Sequence, residues 1–241
     1  MTEPDFLAET RTSYDTIAAD YAERTRDDLP SKPLDRAMLD VFAQLVREAG
    51  LGPVADLGCG PGTAAVYLHE RGVDVFGIDL SPRMVALARQ THPDLRFEVG
   101  SMTALDLPDG SLGGVVAWYS IIHMPPEELP GVFAEFHRVL APGGHALLAF
   151  QVGEEPRRRT EWFGHAVTLS LTRPTPERAV ELLGQAGLVT QARLLREPAD
   201  DGLEKLPRVC LLTHKPDQSG EPAEPIEPAA PTGPAADGSP R

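Results

Sequence analysis

Short apolar runs alternate with amphipathic stretches through the middle of the chain. The apolar runs predict five strands, at Val54–Leu57, Asp74–Asp79, Leu95–Val99, Gly113–Trp118 and His145–Val152. The amphipathic stretches predict helices at Thr63–Arg71, from a Ser81 cap with Pro82 in the first turn, and at Glu127–Leu140. Strands that alternate with helices are typical of a parallel sheet with helices on both faces. The pattern therefore predicts an α/β fold with a doubly wound sheet.

The flanks of this core also carry regular patterns. Helices are predicted at Phe6–Arg24, Leu34–Ala49 and Pro176–Ala186, and two antiparallel strands of one sheet edge at Leu188–Arg196 and Arg208–His214. Helices that precede an open α/β sheet often cover the mouth where ligands bind. We expect a helical cap over residues 1–49, a ligand-binding core over 50–152, and a segment over 153–215 that completes the same domain.

Residues 216–241 differ in composition from the rest. They hold seven of the 24 prolines and a single large apolar residue, Ile226. Such a segment cannot bury a core, so a disordered acidic tail is expected.

The net charge indicates which partners to expect, and the cysteine content indicates the cellular setting. The 22 basic and 36 acidic residues give a net charge of −14, which repels nucleic acids and anionic membranes, and neither is expected as a partner. Two cysteines and no apolar leader favour a reducing, cytoplasmic setting. The basic run Arg157-Arg158-Arg159 is either a solvated loop or a clamp for an anionic group.

The most informative stretch is the turn Asp56-Leu57-Gly58-Cys59-Gly60-Pro61-Gly62 after the first strand. Its glycines permit positive φ and a close approach of a ligand to the backbone. Gly60, Gly62 and Ala65 also satisfy the spacing of a dinucleotide fingerprint, which keeps an NAD(P)-dependent oxidoreductase open as an alternative. The carboxylate of Asp56 would repel a pyrophosphate and attract a cationic ligand.

Four features in sequence order carry a family resemblance. They are the D-x-G-x-G-x-G turn at 56–62, the acid Asp79 at the end of the second strand, Gly100-Ser101-Met102 after the third, and Leu140-Ala141-Pro142-Gly143-Gly144 before the fifth. In these features the chain resembles small, single-domain class I S-adenosylmethionine-dependent methyltransferases. The resemblance implies S-adenosyl-L-methionine as cofactor, a Rossmann-like sheet of seven strands with one antiparallel, and a small-molecule acceptor.

The resemblance also implies roles for single residues. It places Asp79 on the ribose hydroxyls, Leu80 and Met84 on the adenine, and the Met102 backbone at the adenine edge, while Ser101 stands where relatives often have an acid. Two alternatives stay open, a helix-capping role for Asp79 and a core role for Met84. The full set of expected cofactor-binding residues is Tyr14, Tyr21, Asp56, Gly58, Cys59, Gly60, Gly62, Asp79, Leu80, Met84, Ser101, Met102 and Trp118.

The acceptor side is less specific. His123 follows the fourth strand and is a candidate general base, with Tyr14 as a second candidate catalytic residue, although a structural histidine is the open alternative. A base is optional, because in-line positioning is the main requirement of methyl transfer. The segment Gly153–Thr175, with Trp162, Phe163 and His165, is expected to form the acceptor wall. No metal-binding spacing is visible, and no metal is expected.

Overall fold

A computed structural model describes residues 3–153, 156–198 and 204–217. Its helices are α1 (Asp5–Thr25), α2 (Pro33–Ala49), α3 (Thr63–His69), α4 (Pro82–Thr91), α5 (Leu129–Val139) and α6 (Pro176–Gln185). Its strands are β1 (Val54–Leu57), β2 (Val75–Asp79), β3 (Arg96–Val99), β4 (Leu112–Trp118), β5 (Leu140–Gln151), β6 (Arg157–Trp162), β7 (His165–Leu171), β8 (Val189–Arg196) and β9 (Arg208–His214). A short 3₁₀ helix, Ile121–His123, follows β4.

Seven strands form one sheet in the order β3-β2-β1-β4-β5-β9-β8. β1 to β5 are parallel neighbours, and β9 is antiparallel to both β5 and β8. The predicted doubly wound sheet, with one antiparallel strand and an edge pair of final strands, is confirmed. The chain order reverses between β1 and β4, and in open α/β sheets this switch point is where the carboxyl ends of the strands hold ligands.

Two apolar layers cover the faces of the sheet. One contains side chains of α2, α3 and α4, including Phe42, Leu68 and Val85. The other contains side chains of α5 and α6, including Phe133 and Leu183. Successive residues of β4 alternate between the layers, because neighbouring side chains of a strand point to opposite faces.

The start of β5 differs from the prediction. The strand begins at Leu140 instead of His145, so the Pro-Gly-Gly stretch lies inside it. Gly143 donates its N–H to the Lys215 carbonyl at 2.8 Å, and Lys215 donates to the Gly144 carbonyl at 2.9 Å, which keeps this stretch paired. α3 and α5 are shorter than predicted and end at His69 and Val139.

Only one of the two N-terminal helices covers the carboxyl edge of the sheet. α1 lies against α4 and β7. α2 instead buries Leu39, Phe42 and Val46 against the sheet, because its apolar positions form one continuous face. Of the expected cap over residues 1–49, α1 lies at the carboxyl edge of the sheet, whereas α2 lies on one of its faces.

β6 and β7 form an antiparallel hairpin that the sequence did not predict. The arginine run lies in β6, so it is part of a strand and not of a loop; Arg157 and Arg158 are exposed and Arg159 is half-buried. The hairpin packs on α1, where Ile17 joins Val167 and Leu169 in a small apolar cluster. Ser13 Oγ donates to the Thr168 carbonyl at 3.0 Å and accepts from the Thr168 N–H at 2.9 Å.

The predicted tail lies almost wholly outside the described residues, which end at Asp217. None of the described helices is both long and apolar enough to cross a membrane.

Ser13→Ala should destabilise the protein by about 1 to 3 kcal/mol, because it leaves the Thr168 N–H and carbonyl without partners. Urea denaturation measures this difference. Thr16→Ala is the matched control, since exposed Thr16 bonds only to the Thr12 carbonyl of its own helix. Equal stabilities of the two variants would contradict the role of Ser13 in holding the hairpin on α1.

Candidate functional site

The glycine turn after β1 is packed directly against the loop after β4. Gly58 has φ +71°, and a Cβ added there would lie 2.4 Å from the Cβ of Ser120. Ser120 Oγ donates to the Leu57 carbonyl at 2.7 Å. No side chain fits between these loops, so glycine is required at position 58 and the backbone of the turn faces the crevice.

Asp79 joins this turn to the start of α4. Its Oδ2 accepts from the Gly60 N–H at 2.7 Å, and its Oδ1 accepts from the Ser81 N–H at 2.8 Å. Burial raises the pKa of the Asp79 carboxyl to about 6, and the two N–H donors oppose this rise. Each carboxylate oxygen retains a lone pair for a further donor.

Asp15 fastens α1 to the same helix start. Ser81 Oγ caps α4 by accepting from the Met84 N–H at 3.1 Å, and it donates to Asp15 Oδ1 at 2.5 Å. Asp15 Oδ1 also accepts from the Arg83 N–H at 3.1 Å. The sequence analysis assigned no role to Asp15, although an acid beside a helix N-terminus is favoured by the helix dipole.

Asp56 lies fully buried at the end of the central strand. Its Oδ2 accepts from the Ala65 N–H at 3.1 Å, whereas its Oδ1 has no hydrogen-bond partner among the described residues. Burial raises the pKa of Asp56 to about 7, and the nearby charge of Asp79 adds to the rise. A buried acceptor without a donor is suited to a ligand that brings a cation or an N–H group.

Two neighbouring cavities lie at the turn and share lining residues. The larger has a volume of about 660 Å³ with its solvent-open part, and the smaller about 530 Å³. Gly58, Gly60, Tyr21, Trp118 and Tyr119 line both cavities.

Most of the predicted site residues line these cavities. The larger one contains Tyr14, Tyr21, Gly58, Gly60, Asp79, Leu80, Ser101, Met102, Trp118 and His123. The smaller one adds Asp56 and Cys59. Ser101 Oγ is bonded to the hydroxyl of Thr103 at 2.8 Å, so its side chain is already partnered.

Two of the predicted cofactor-binding residues line neither cavity, and the same holds for the expected acceptor-wall residues Trp162, Phe163 and His165. Met84 is 1% exposed and belongs to the core under α4, as its alternative assignment proposed. Gly62 faces the other side of the turn, where an added Cβ would lie 2.9 Å from the ring of Phe97. Glycine is therefore required at position 62 for packing against β3, and contact of Gly62 with the cofactor stays a prediction.

Part of the cavity wall consists of residues that were not predicted from the sequence. Leu7, Thr10 and Arg11 extend the face of α1 that carries Tyr14 and Tyr21. The spacing of these residues by three, four and seven positions is a helical face and could have identified them. Asp28 in the turn after α1 lines the smaller cavity and had no comparable pattern.

Tyr14 and His123 form a buried pair at the wall of the larger cavity. The Tyr14 hydroxyl lies 2.7 Å from His123 Nε2, and His123 Nδ1 lies 3.4 Å from the Ser170 carbonyl. Burial lowers the pKa of His123 to about 4 and raises the pKa of Tyr14. Both groups are therefore neutral near pH 7. The neutral tautomer that donates from Nδ1 to the Ser170 carbonyl has an unprotonated Nε2, and in this tautomer Tyr14 is the donor to His123 Nε2.

Aromatic rings extend this pair toward the hairpin. Tyr14 and Tyr21 meet edge to face at 5.6 Å, and the Trp162 ring lies 6.1 Å and 5.6 Å from them. Phe163 stacks on Trp162 at 5.0 Å. His165, which is opposite Trp162 in the hairpin register, bonds Asp20 of α1 at 2.9 Å, so its ring is already partnered.

Tyr119 has a strained backbone conformation, and its side chain is bonded to a cluster of buried charged residues. Its φ is +57°, which is rare for a residue with a large side chain, and its hydroxyl donates to Asp35 at 3.1 Å. Asp35 is paired with Arg196 at 3.1 Å, and Arg196 with Glu204 at 2.6 Å. This cluster fixes a ring that lines both cavities to α2 and the β8 edge.

In the described ranges 3–153, 156–198 and 204–217, no three His, Cys, Asp or Glu side chains are arranged to hold a metal ion. The absence of a metal cofactor stays a prediction.

The part of the chain that forms the site is similar to a known family of protein domains. A family model described as a methyltransferase domain matches residues 54–144, which run from β1 into β5. The family resemblance expected from the sequence is confirmed for this segment.

Curated relatives match over a similar region. A demethylmenaquinone methyltransferase of Beutenbergia cavernae is 38% identical over 114 residues, which cover 47% of this chain and 45% of the relative. A malonyl-[acyl-carrier protein] O-methyltransferase of Serratia marcescens is 33% identical over 94 residues, covering 39% and 36%. The chain thus spans less than half the length of these relatives.

A solved structure extends the likeness to the whole sheet. The 1,6-didemethyltoxoflavin-N1-methyltransferase of Burkholderia thailandensis superposes with a TM-score of 0.63 at 22% identity, over 90% of this chain and 92% of that one. This likeness confirms the Rossmann-like fold.

The buried Asp56 carboxyl should make the ligand-free protein less stable as pH rises. Its pKa of about 7 in the folded state lies above the ordinary value of 3.8. Between these pH values the folded state holds a proton that the unfolded state has released. The stabilisation that this proton provides decreases as the pH rises and is lost once the pH passes 7. Relative to Asp56→Asn, the wild-type free energy of unfolding should fall by on the order of 2 kcal/mol between about pH 5 and pH 8.

Urea denaturation at several pH values measures this difference. Asp74→Asn, on the exposed residue just before β2, should follow the wild-type pH dependence. Parallel curves for wild type and Asp56→Asn would mean that Asp56 is ionised throughout this range.

Proposed function

Because residues 54–144 carry a methyltransferase domain, we propose that the chain transfers a methyl group from S-adenosylmethionine to an O, N or C nucleophile of a small molecule. The position of Asp79 carries this proposal. Its carboxylate is buried beside the glycine turn, at the carboxyl end of the strand next to β1, and lines the larger cavity. A ribose needs such an acceptor for its two hydroxyls.

The residues around the turn fit the rest of the methyl donor. Leu80 and Met102 offer apolar surface beside Asp79 for an adenine ring. Asp56 Oδ1 has no hydrogen-bond partner among the described residues and lies at the smaller cavity, which suits the ammonium end of the methionyl part. The Asp28 carboxylate at the same cavity is already paired with Lys32. When bound, S-adenosylmethionine supplies a methyl group that its sulfonium has already activated.

The two cavities meet at Tyr21, Trp118 and Tyr119. A ligand that extends from Asp79 to Asp56 would pass this junction with its reactive centre near the aromatic rings. These rings exclude water and provide electron-rich faces that favour a cation. Positioning of the acceptor in line with the methyl group is then the main catalytic contribution of the protein.

The contact between Tyr14 and His123 bears on which of the two residues takes the proton from the acceptor. His123 Nε2 faces the Tyr14 hydroxyl and is therefore not free to meet the acceptor directly. We infer that the Tyr14 oxygen accepts the proton that the acceptor releases on methylation, while the Tyr14 proton moves to His123 Nε2. Because the pKa of His123 is about 4, His123 does not take up the Tyr14 proton before methyl transfer. The proton moves while the methyl donor loses its positive charge.

The relatives act on chemically different acceptors. One is named for demethylmenaquinone, one for O-methylation of a carrier-bound malonyl group and one for methylation at N1 of a toxoflavin precursor. They support a small-molecule acceptor and leave its nucleophilic atom open.

Calorimetric titration tests the proposed class. S-adenosylmethionine and S-adenosylhomocysteine should bind, whereas NAD and NADP should not. Binding of a nicotinamide cofactor alone would instead favour the oxidoreductase interpretation of Gly60, Gly62 and Ala65.

Asp79→Asn should weaken donor binding by about 1.5 to 3 kcal/mol, roughly 10- to 100-fold, because it removes a charged acceptor of the ribose hydroxyls. Asn is chosen over Ala because its side-chain oxygen retains a bond to one of the two N–H donors. Asp74→Asn is the control, since it removes one acidic residue elsewhere in the chain. An unchanged dissociation constant for a folded Asp79→Asn protein would exclude the ribose role.

Tyr14→Phe should slow single-turnover methyl transfer by about 100-fold with donor affinity changed by less than about threefold, because the substitution removes only the hydroxyl that contacts His123. The acceptor is one found by screening for release of S-adenosylhomocysteine. Tyr67→Phe, whose hydroxyl bonds Asp40 on the surface, is the matched control. Equal losses of rate and donor affinity in Tyr14→Phe would indicate a structural role.

A further inference from the structure

Two arginines of the hairpin lie on its inner face. Arg157 and Arg159 pair with Leu171 and Leu169 in the β6–β7 register. Both leucines are buried, whereas Arg159 is half-buried and Arg157 exposed. Directly opposite residues of antiparallel strands point to the same side, so both arginines share the face of these leucines. Arg158 points to the other face, where it forms an ion pair with Glu9 at 3.3 Å.

A third arginine follows β7 and joins this group. The Arg173 Nε is buried and has no hydrogen-bond partner among the described residues. Its side chain lines a recess of about 800 Å³, solvent-open part included, together with Gly153 and Thr172. The neighbouring Thr172 donates its N–H to the Ile122 carbonyl at 2.7 Å, which places Arg173 beside the loop that carries His123.

The three guanidinium groups act on one another and on the site. Burial lowers the pKa of Arg159 and of Arg173. Repulsion by Arg157 adds to both pKa shifts, and repulsion by Arg159 adds to that of Arg173. The charges of both arginines also help to lower the pKa of His123. The Arg159 guanidinium lies 4.4 Å above the Trp162 ring, at the aromatic cluster that includes Tyr14.

This positive cluster is unusual in so acidic a chain. The net charge is −14, yet Arg157, Arg159 and Arg173 form no ion pair with any acid of the part that the structure describes. An anion between the guanidinium groups would relieve their repulsion and give Arg173 Nε a partner.

We propose that Arg157, Arg159 and Arg173 bind an anionic oxygen group of the methyl acceptor, a carboxylate or a phosphate. The inference rests on the proposed function, since it assigns this group to the acceptor of the same site. The reactive end of the acceptor would then face Tyr14 and His123. Two of the three proposed binding residues therefore belong to the run Arg157-Arg158-Arg159, and the third, Arg173, lies outside it.

Calorimetry of the protein saturated with S-adenosylhomocysteine tests the proposal. Malonate is the carboxylate probe and inorganic pyrophosphate the phosphate probe. At least one should bind saturably to wild type, and Arg159→Gln and Arg173→Gln should each weaken that binding about tenfold or more, which corresponds to about 1.4 kcal/mol. The tighter probe identifies the anion class.

Arg158→Gln is the matched control, because it removes the same charge from the opposite face of β6. It should bind the probe within about twofold of wild type. An equal loss in Arg158→Gln, or no saturable binding of either probe to wild type, would overturn the proposal. Arg159→Lys and Arg173→Lys provide folded variants that keep the charge and lose the planar fork, and they should show intermediate affinities.

The affinity for S-adenosylhomocysteine separates this test from that of the proposed function. It should be unchanged in all these variants, because none of the three arginines lines the two cavities around the glycine turn. Absence of S-adenosylhomocysteine binding in wild type would reject the methyltransferase proposal itself. Retained S-adenosylhomocysteine binding without anion binding would reject only the arginine site.

Discussion

The Asp79 carboxylate holds together the three parts of the chain that make the site. Through the Gly60 and Ser81 N–H groups it joins the glycine turn to the start of α4, and Ser81 in turn bonds Asp15 of α1. Because these bonds are to backbone and helix-cap groups, they fix the shape of the cavity before any ligand binds. Burial of the carboxylate raises its pKa, so the same arrangement favours a ligand that supplies further donors.

Desolvation also decides which groups carry charge in the site. Asp56, Tyr14 and His123 are all displaced by burial toward their neutral forms. A neutral histidine that already accepts a bond from Tyr14 is a poor independent base. The proposed chemistry therefore depends mainly on orientation, with proton transfer following the methyl group.

The β6–β7 hairpin lies behind the aromatic wall of the larger cavity. It is held on α1 by Ser13 and the Ile17 cluster, and it carries both the ring of Trp162 and the inner-face arginines. This small element thus packs against the Tyr14 and Tyr21 rings that line the cavity and carries positive charge next to them. In the proposed function, the hairpin accounts for selection of the acceptor, whereas the sheet and the glycine turn account for the donor.

Local sequence determined the order of the strands and helices, the Ser81 cap and the glycine turn, because periodicity, capping and positive φ depend on neighbouring residues. It also identified most residues at the carboxyl ends of β1, β2 and β4. Only the tertiary structure decided that Tyr14 contacts His123, 109 positions away, that Met84 belongs to the core, and that Arg173 joins Arg159. The hairpin itself escaped prediction, since its arginine-rich strand becomes ordered by packing on α1 and not by its own propensity.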